Sequence, residues 1–264
     1  MAKSKVLTFG IQKGGAAKTT TTAITAYLLS LEGYKVLTVD ADPQGNLTEI
    51  LTLMPIRDYR GQGVGGILEA LENEGKTTKK QIMVLNDNLH LLIGSEMLGV
   101  FPRPGYKGEI QSAVSKMLEP VINDYDFIII DTAPALNFTL SSCLAASDGV
   151  VALFETGKFC HSALLSFIET VQYFQESPES KNRDLKLLGI LCSMIDSRRS
   201  DNKDFLSLIQ NDEDLGKYCF KTVIKRQAAS GRLAYAGFFN NPEIKQAVEQ
   251  YKPFVKELLE SVSI

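Results

Sequence analysis

Short apolar or β-branched runs recur along this chain, each followed by a longer stretch of helical periodicity, and that alternation restricts the fold more than any other feature. The first pair is VLTFG at residues 6–10 and the helical pattern at 19–31. Further strand-like runs are KVLTVD ending at Asp40, LHLLIG near Leu91, DFIIID ending at Asp131, GVVALF near Val151, LKLLGILC near Ile190 and a short one near Thr222. Helical patterns fall at 63–74, 109–123, 162–175, 202–211 and 242–262. Strands buried on both faces read as continuous apolar runs, and parallel neighbours need a helical crossover. The alternation therefore predicts an α/β protein: a single doubly wound domain over residues 1–264, its mostly parallel sheet of seven or eight strands flanked by helices. A length of 264 residues with 44% hydrophobic content suffices for one such core. The irregular stretch FPRPGYKG at 101–108 reads as an ordered surface loop.

Where the first strand turns into the first helix the chain reads GIQKGGAAKTTTT, residues 10–22. A turn placed there aims backbone N–H groups and the positive end of a helix at one anion. Gly14 and Gly15 remove side chains that would hold the backbone away from phosphate oxygens, and Ala16, Ala17 and Thr20 complete the candidate cradle. Lys18 brings a point charge to the β and γ phosphates, and the Thr19 hydroxyl is placed to ligate magnesium.

Two carboxylate segments follow. VDADPQGN at 39–46 carries Asp40 and Asp42 past the end of the second strand, and DFIIIDTAP at 126–134 delivers Asp131 on four apolar residues. Carboxyl ends of parallel strands face the ligand crevice. A carboxylate buried there is costly unless it serves a metal, so Thr19, Asp40 and Asp131 form the candidate magnesium set. For Asp40 a second role, capping the turn that follows, stays open.

Composition removes several classes. A net charge of −3 gives no support to a globally basic nucleic-acid binder, although a local basic face is compatible with it. Cys143, Cys160, Cys192 and Cys219 form no CxxC pair, so isolated thiols in a reducing compartment are expected instead of a structural zinc site. The opening MAKSK leads straight into a strand-like run, and no uncharged apolar run is long enough to span a bilayer, which predicts a cytoplasmic protein.

KGGxxKTTT, DADPQGN and DFIIIDTAP, in this order, resemble the deviant Walker A, switch I and Walker B motifs of the ParA/MinD group, and KTVIKRQAASGRLAYAG resembles the TxIPRN-containing region of ParA proteins. The resemblance implies a P-loop ATPase that takes ATP and magnesium and works as an ATP-sandwich dimer. It makes Lys13 the signature lysine that crosses to the neighbouring protomer's phosphates, and Asp42 the residue that positions the attacking water, giving Lys13, Lys18 and Asp42 as the catalytic set. It also places Met194 and Lys225 beside the nucleotide, Lys225 standing where the family usually has proline. Arg198 and Arg199, with Lys221, Arg226 and Arg232, would form a basic strip for nonspecific DNA phosphates; ordinary solvated charges are the alternative. With few residues before the first strand there is no room for a helix-turn-helix, so the chain looks like the short, Soj-like type of partition ATPase. Its implied partner is a ParB-like centromere-binding protein, and its implied place is on the nucleoid.

Ala17 departs from the family's glycine before the phosphate lysine. If the position needs positive φ, the extra Cβ costs about 1 kcal/mol or more and turnover is slowed; if it is already helical, alanine is harmless. With the helix beginning hereabouts, the helical case is the expectation. Three rival functions remain. A MinD-like membrane switch needs a basic amphipathic tail, but KPFVKELLESVSI reads as a docking helix with Phe254, Val255, Leu258, Leu259 and Val262 at core spacing. An iron–sulfur donor needs paired cysteines in glycine-rich surroundings, which Cys143 and Cys160 lack. The third is a scaffold with a degenerate nucleotide site.

Overall fold

The strand-like runs pair into one sheet. In the computed structural model, which describes residues 3–11, 17–59, 66–135, 137–156, 158–196, 200–238 and 242–263, eight strands are present among the described residues. They are β1 (Lys5–Gly10), β2 (Val36–Ala41), β3 (Ile82–Val84), β4 (Leu89–Leu92), β5 (Phe127–Thr132), β6 (Gly149–Glu155), β7 (Lys186–Ile195) and β8 (Cys219–Lys225). Their order is β3-β4-β2-β5-β1-β6-β7-β8, parallel throughout except for β3, which pairs antiparallel with β4 at one edge. The expected mostly parallel α/β sheet is thus present. The strand that sequence patterning passed over is β3, whose three residues are too few to show a period.

Around it lie α1 (Lys18–Leu31), α2 (Asn46–Thr52), α3 (Gly66–Glu72), α4 (Thr78–Gln81), α5 (Ala113–Leu118), α6 (Phe138–Ala146), α7 (Lys158–Glu176), α8 (Ser200–Gln210), α9 (Ala228–Gly231), α10 (Leu233–Ala236), α11 (Pro242–Glu249) and α12 (Lys252–Val262). Period-two alternation divides the core between the two faces. Leu7, Phe9, Phe127, Ile129, Val151 and Leu153 pack against α1 and α12, while Val6, Ile128 and Ile130 pack against α3 and α5, and Val150, Ala152 and Phe154 against α6 and α7.

The helix expected over 242–262 is two helices. Pro253 cannot donate a backbone hydrogen bond, and it stands in the first turn of α12, where none is required. Phe254, Val255 and Leu258 are buried in the core below α1, with Leu259 and Val262 packed against it, as core spacing predicts. The 109–123 pattern shortens to α5 and a 3-10 turn at Glu119–Val121. Helices α2 and α6 escaped the sequence reading: each is nine residues or fewer, too short for a clear stripe. The loop at 101–108 is irregular as expected, with Phe101 against Tyr106 and Arg103 paired with Glu72.

Candidate functional site

Helix α1 is a poor helix by propensity, because four consecutive threonines lose rotamer freedom in a helix. Burial decides the matter: Thr21, Thr22 and Thr25 are enclosed, and the single Thr22 hydroxyl hydrogen is shared between the Lys18 carbonyl at 3.0 Å and Asp131 Oδ1 at 3.2 Å. The Thr19 hydroxyl donates to Asp131 Oδ2 at 2.7 Å. Lys18, only 7% exposed, lies in the same first turn, and its charge acts on Asp131. Asp131 is wholly buried at the end of β5. Burial pushes its carboxyl up to about 6, against the opposing pull of Lys18 and the Thr19 bond, with Asp42 pushing it further up.

A cavity of about 830 Å³ opens at the carboxyl ends of the strands. Ala17, Lys18, Thr19 and Thr20 line it from the start of α1, Asp42, Gln44, Asn46, Glu49 and Ile50 from the β2–α2 segment, and Pro134 from beyond β5. Met194 and the segment from Arg226 through Ala234 close the other side. Its size is that of a small-molecule site, and its place at the strand ends is where doubly wound sheets bind ligands. Asp42 is 5% exposed, with Oδ1 accepting from the Gln44 N–H at 2.9 Å.

Several expectations meet here and several do not. Lys18, Thr19, Thr20, Ala17, Asp42, Asp131 and Met194 are brought to one place. Lys13, Gly14, Gly15 and Ala16 lie outside the described residues, as do Arg198 and Arg199.

Asp40 takes the capping role. Its Oδ2 accepts from the Thr48 N–H at 2.8 Å and the Thr48 hydroxyl at 2.7 Å, and it does not line the cavity. Burial, then repulsion from Asp131 opposite it in the sheet, raises its carboxyl to about 7. Thr48 takes up that oxygen, so a part for Asp40 in holding magnesium would fall to its Oδ1.

The expectation for Ala17 is corrected. It is not helical; it is the N-cap residue of α1 with φ 55° and ψ 24°, in the left-handed region, so its methyl group does meet the steric cost. Lys225 is exposed and absent from the cavity lining, its N–H held by Gln250 Oε1 at 3.0 Å. Side chains alternate along a strand edge, so the next residue, Arg226, faces the cavity instead.

Two cations of the expected basic strip have acidic neighbours. Arg226 pairs with Glu155 at 3.2 Å and Arg232 with Glu243 at 2.5 Å, and both arginines stay exposed, as does Lys221 on the edge strand. The thiols are not all isolated either: Cys192 and Cys219 meet across β7 and β8, and their hydrogen bond raises the first and lowers the second. No group of three potential metal-ligating His, Cys, Asp or Glu residues exists among the described residues, and no helix there is long and apolar enough to cross a membrane.

Met194 holds φ 58° inside β7, where the pairing with β8 slips. Two non-glycine residues in left-handed conformation, Ala17 and Met194, therefore line one cavity, and strain of this kind concentrates at functional sites. The sequence reading missed Gln44, Asn46, Glu49 and Gln227 as lining residues. The first two stand inside the VDADPQGN segment itself, so nearness to Asp42 was an available signal.

A buried lysine at a strand-to-helix turn, a hydroxyl bonded to a strand-end aspartate and a cavity at the carboxyl edge of a parallel sheet define the P-loop nucleoside triphosphatase class. The sequence profile described as "AAA domain" matches residues 4–187. The sporulation initiation inhibitor protein Soj of Bacillus subtilis is 32% identical, covering 96% of this chain and 98% of that protein. The chromosome-partitioning ATPase Soj of Thermus thermophilus is 30% identical, covering 96% and 90%. Among solved structures, cobyrinic acid a,c-diamide synthase from Mycobacterium smegmatis with bound ADP and magnesium superposes with a TM-score of 0.72 at 28% identity, covering 88% of this chain and 91% of that one. The chain belongs to the ParA/Soj family of P-loop partition ATPases.

Proposed function

We propose that this chain is a magnesium-dependent ATPase acting in DNA partition, as one domain over residues 1–264. It dimerises around ATP, binds DNA without reading sequence in that state, and lets go after slow hydrolysis stimulated by a ParB-like centromere-binding protein. The observation that carries the reading is Lys18 beside the Thr19–Asp131 hydrogen bond at the mouth of the cavity. Hydroxyl and carboxylate oxygens are the hard ligands magnesium takes, so Thr19, with Asp131 behind it, fits that ion. Bound there, magnesium supplies positive charge against the phosphates.

Lys18 adds a second cation from within the protomer, and Lys13 a third to the neighbouring protomer's phosphates. Asp42, anchored on the Gln44 N–H, orients the attacking water. Backbone amides of residues 14–17 complete the cradle. Met194 and Gln227 flank the rest of the nucleotide. Arg226 and Arg232 stay exposed beside Glu155 and Glu243, and such surface pairs are weak, so the DNA contact is placed on Lys221, Arg226 and Arg232 with Arg198 and Arg199.

The apolar residues of the carboxyl-terminal helix are used up against the sheet, which favours a cytoplasmic, nucleoid-bound protein over a membrane switch. The Soj relatives are 32% and 30% identical to this chain, against 28% for the diamide synthase, and they support partition over amide synthesis.

DNA binding measured with ATP, with ADP and without nucleotide tests the switch. Binding is expected with ATP alone, and it should fall in Lys221→Ala and Arg198→Ala. Equal binding in all three conditions removes the switch, and calorimetry that detects no adenine nucleotide uptake with magnesium removes the whole reading.

A further inference from the structure

Helix α2 begins without a cap of its own. Its N-cap position is Gly45, in left-handed conformation with φ 67° and no side chain to accept the free N–H groups of the first turn. The Thr48 N–H, at the third helical position, is normally bonded by the N-cap side chain. Here Asp40 of the preceding strand does it, at 2.8 Å. The Thr48 hydroxyl then donates to the same carboxylate oxygen at 2.7 Å and accepts from the Gly94 N–H at 2.9 Å. One fully buried hydroxyl thus joins the end of β2, the first turn of α2 and the segment leaving β4.

The residues between Asp40 and Thr48 are the turn that carries Asp42 into the cavity. Within it the Gly45 N–H bonds the Asp42 carbonyl at 3.0 Å, and the Gln44 N–H bonds Asp42 Oδ1. With both ends clamped, the turn has little freedom to shift Asp42. Gly94 completes the joint by close approach: a Cβ there would lie 3.0 Å from the Asp40 carboxylate and 3.3 Å from the Gly45 Cα.

We propose that Thr48 is a positioning residue for hydrolysis: by tying α2 to Asp40 and Gly94 it holds Asp42 where the attacking water must be oriented. The proposal rests on the ATPase reading given above. Thr48 touches no nucleotide in this scheme, so its loss should act on turnover and spare binding.

Steady-state ATP turnover and calorimetric nucleotide affinity of Thr48→Val, Thr48→Ser and Gly94→Ala test it. Thr48→Val keeps the volume and removes the hydroxyl. Its kcat is expected to fall about tenfold or more with nucleotide affinity changed by less than about threefold, since small misplacements of a reacting group act on the chemical step. Thr48→Ser restores the hydroxyl and should recover kcat to within about threefold of wild type. Gly94→Ala presses on the same joint from the other side and should lower kcat in the same way; it carries the test should Thr48→Val fail to melt cooperatively. Wild-type kcat in both Thr48→Val and Gly94→Ala overturns the proposal, as does an equal loss in Ser and Val or a loss of affinity as large as the loss of kcat. Wild-type protein that turns over no ATP overturns the ATPase reading and this proposal together, whereas an active wild type with indifferent variants overturns the proposal alone.

Discussion

At the scale of single residues, the site is built from groups held in conformations they do not choose by themselves. Ala17 sits at φ 55° ahead of Lys18. An L-residue in that region costs about 1–2 kcal/mol, while glycine in its place loses about 0.5–1 kcal/mol through the greater freedom of its unfolded chain. The steric term is the larger. Ala17→Gly is therefore expected to raise the melting temperature by about 2 °C, read by calorimetry, and to speed ATP turnover. A lower melting temperature would contradict the left-handed conformation, and an unchanged rate would separate the methyl group from catalysis. Asp131 shows the same logic in charge: burial raises it, and Lys18 with Thr19 draws it back toward the ionised form a metal site needs.

Elements are tied to each other by side chains that finish what the backbone leaves open. The outer edge of β8 would expose unpaired N–H groups, a liability for any edge strand. Glu257 of α12 covers it, accepting from the Lys221 N–H at 2.6 Å, the Thr222 N–H at 2.9 Å and the Thr222 hydroxyl at 2.5 Å. Removing an acceptor that satisfies partly buried donors costs about 1–3 kcal/mol. Glu257→Ala should be destabilised by about that much in urea titration, and Glu257→Gln by clearly less because one acceptor oxygen remains. Equal losses in the two variants would mean that packing of the side chain, and not its hydrogen bonds, holds the edge. The Asp40–Thr48 clamp follows the same rule, with a strand supplying the cap its helix lacks.

Across the whole molecule, the two ends of the chain meet on one face of the sheet. Phe254 of α12 packs edge-on against Phe9 of β1 and Phe220 of β8, with ring centroids 6.4 and 5.0 Å apart. Tyr251 is buried beside Thr21 of α1. This anchoring leaves the terminal helix no apolar stripe to offer a bilayer. In sedimentation with anionic liposomes and ATP the protein should stay in the supernatant, while pelleting that depends on ATP would revive the membrane-switch reading.

Much of this was legible beforehand. Apolar runs announced seven of the strands; in the central ones burial on both faces leaves only one kind of residue acceptable, while β8 at the edge is partly exposed. The spacing of Lys18, Asp42 and Asp131 was legible too, since strand ends of a parallel sheet must converge on a crevice. Short elements were not, because α2, α6 and β3 contain too few residues for a period to emerge. Chain order and residue type by themselves determined the sheet, its helical layers and the approach of Asp42 and Asp131 to the crevice. Tertiary structure alone decided that Asp40 caps α2, that Ala17 turns left-handed, that Arg226 faces the cavity in place of Lys225, and that Glu155 and Glu243 lie beside two arginines. Each of these depends on a partner distant in sequence or on a backbone angle, and neither is written in local pattern.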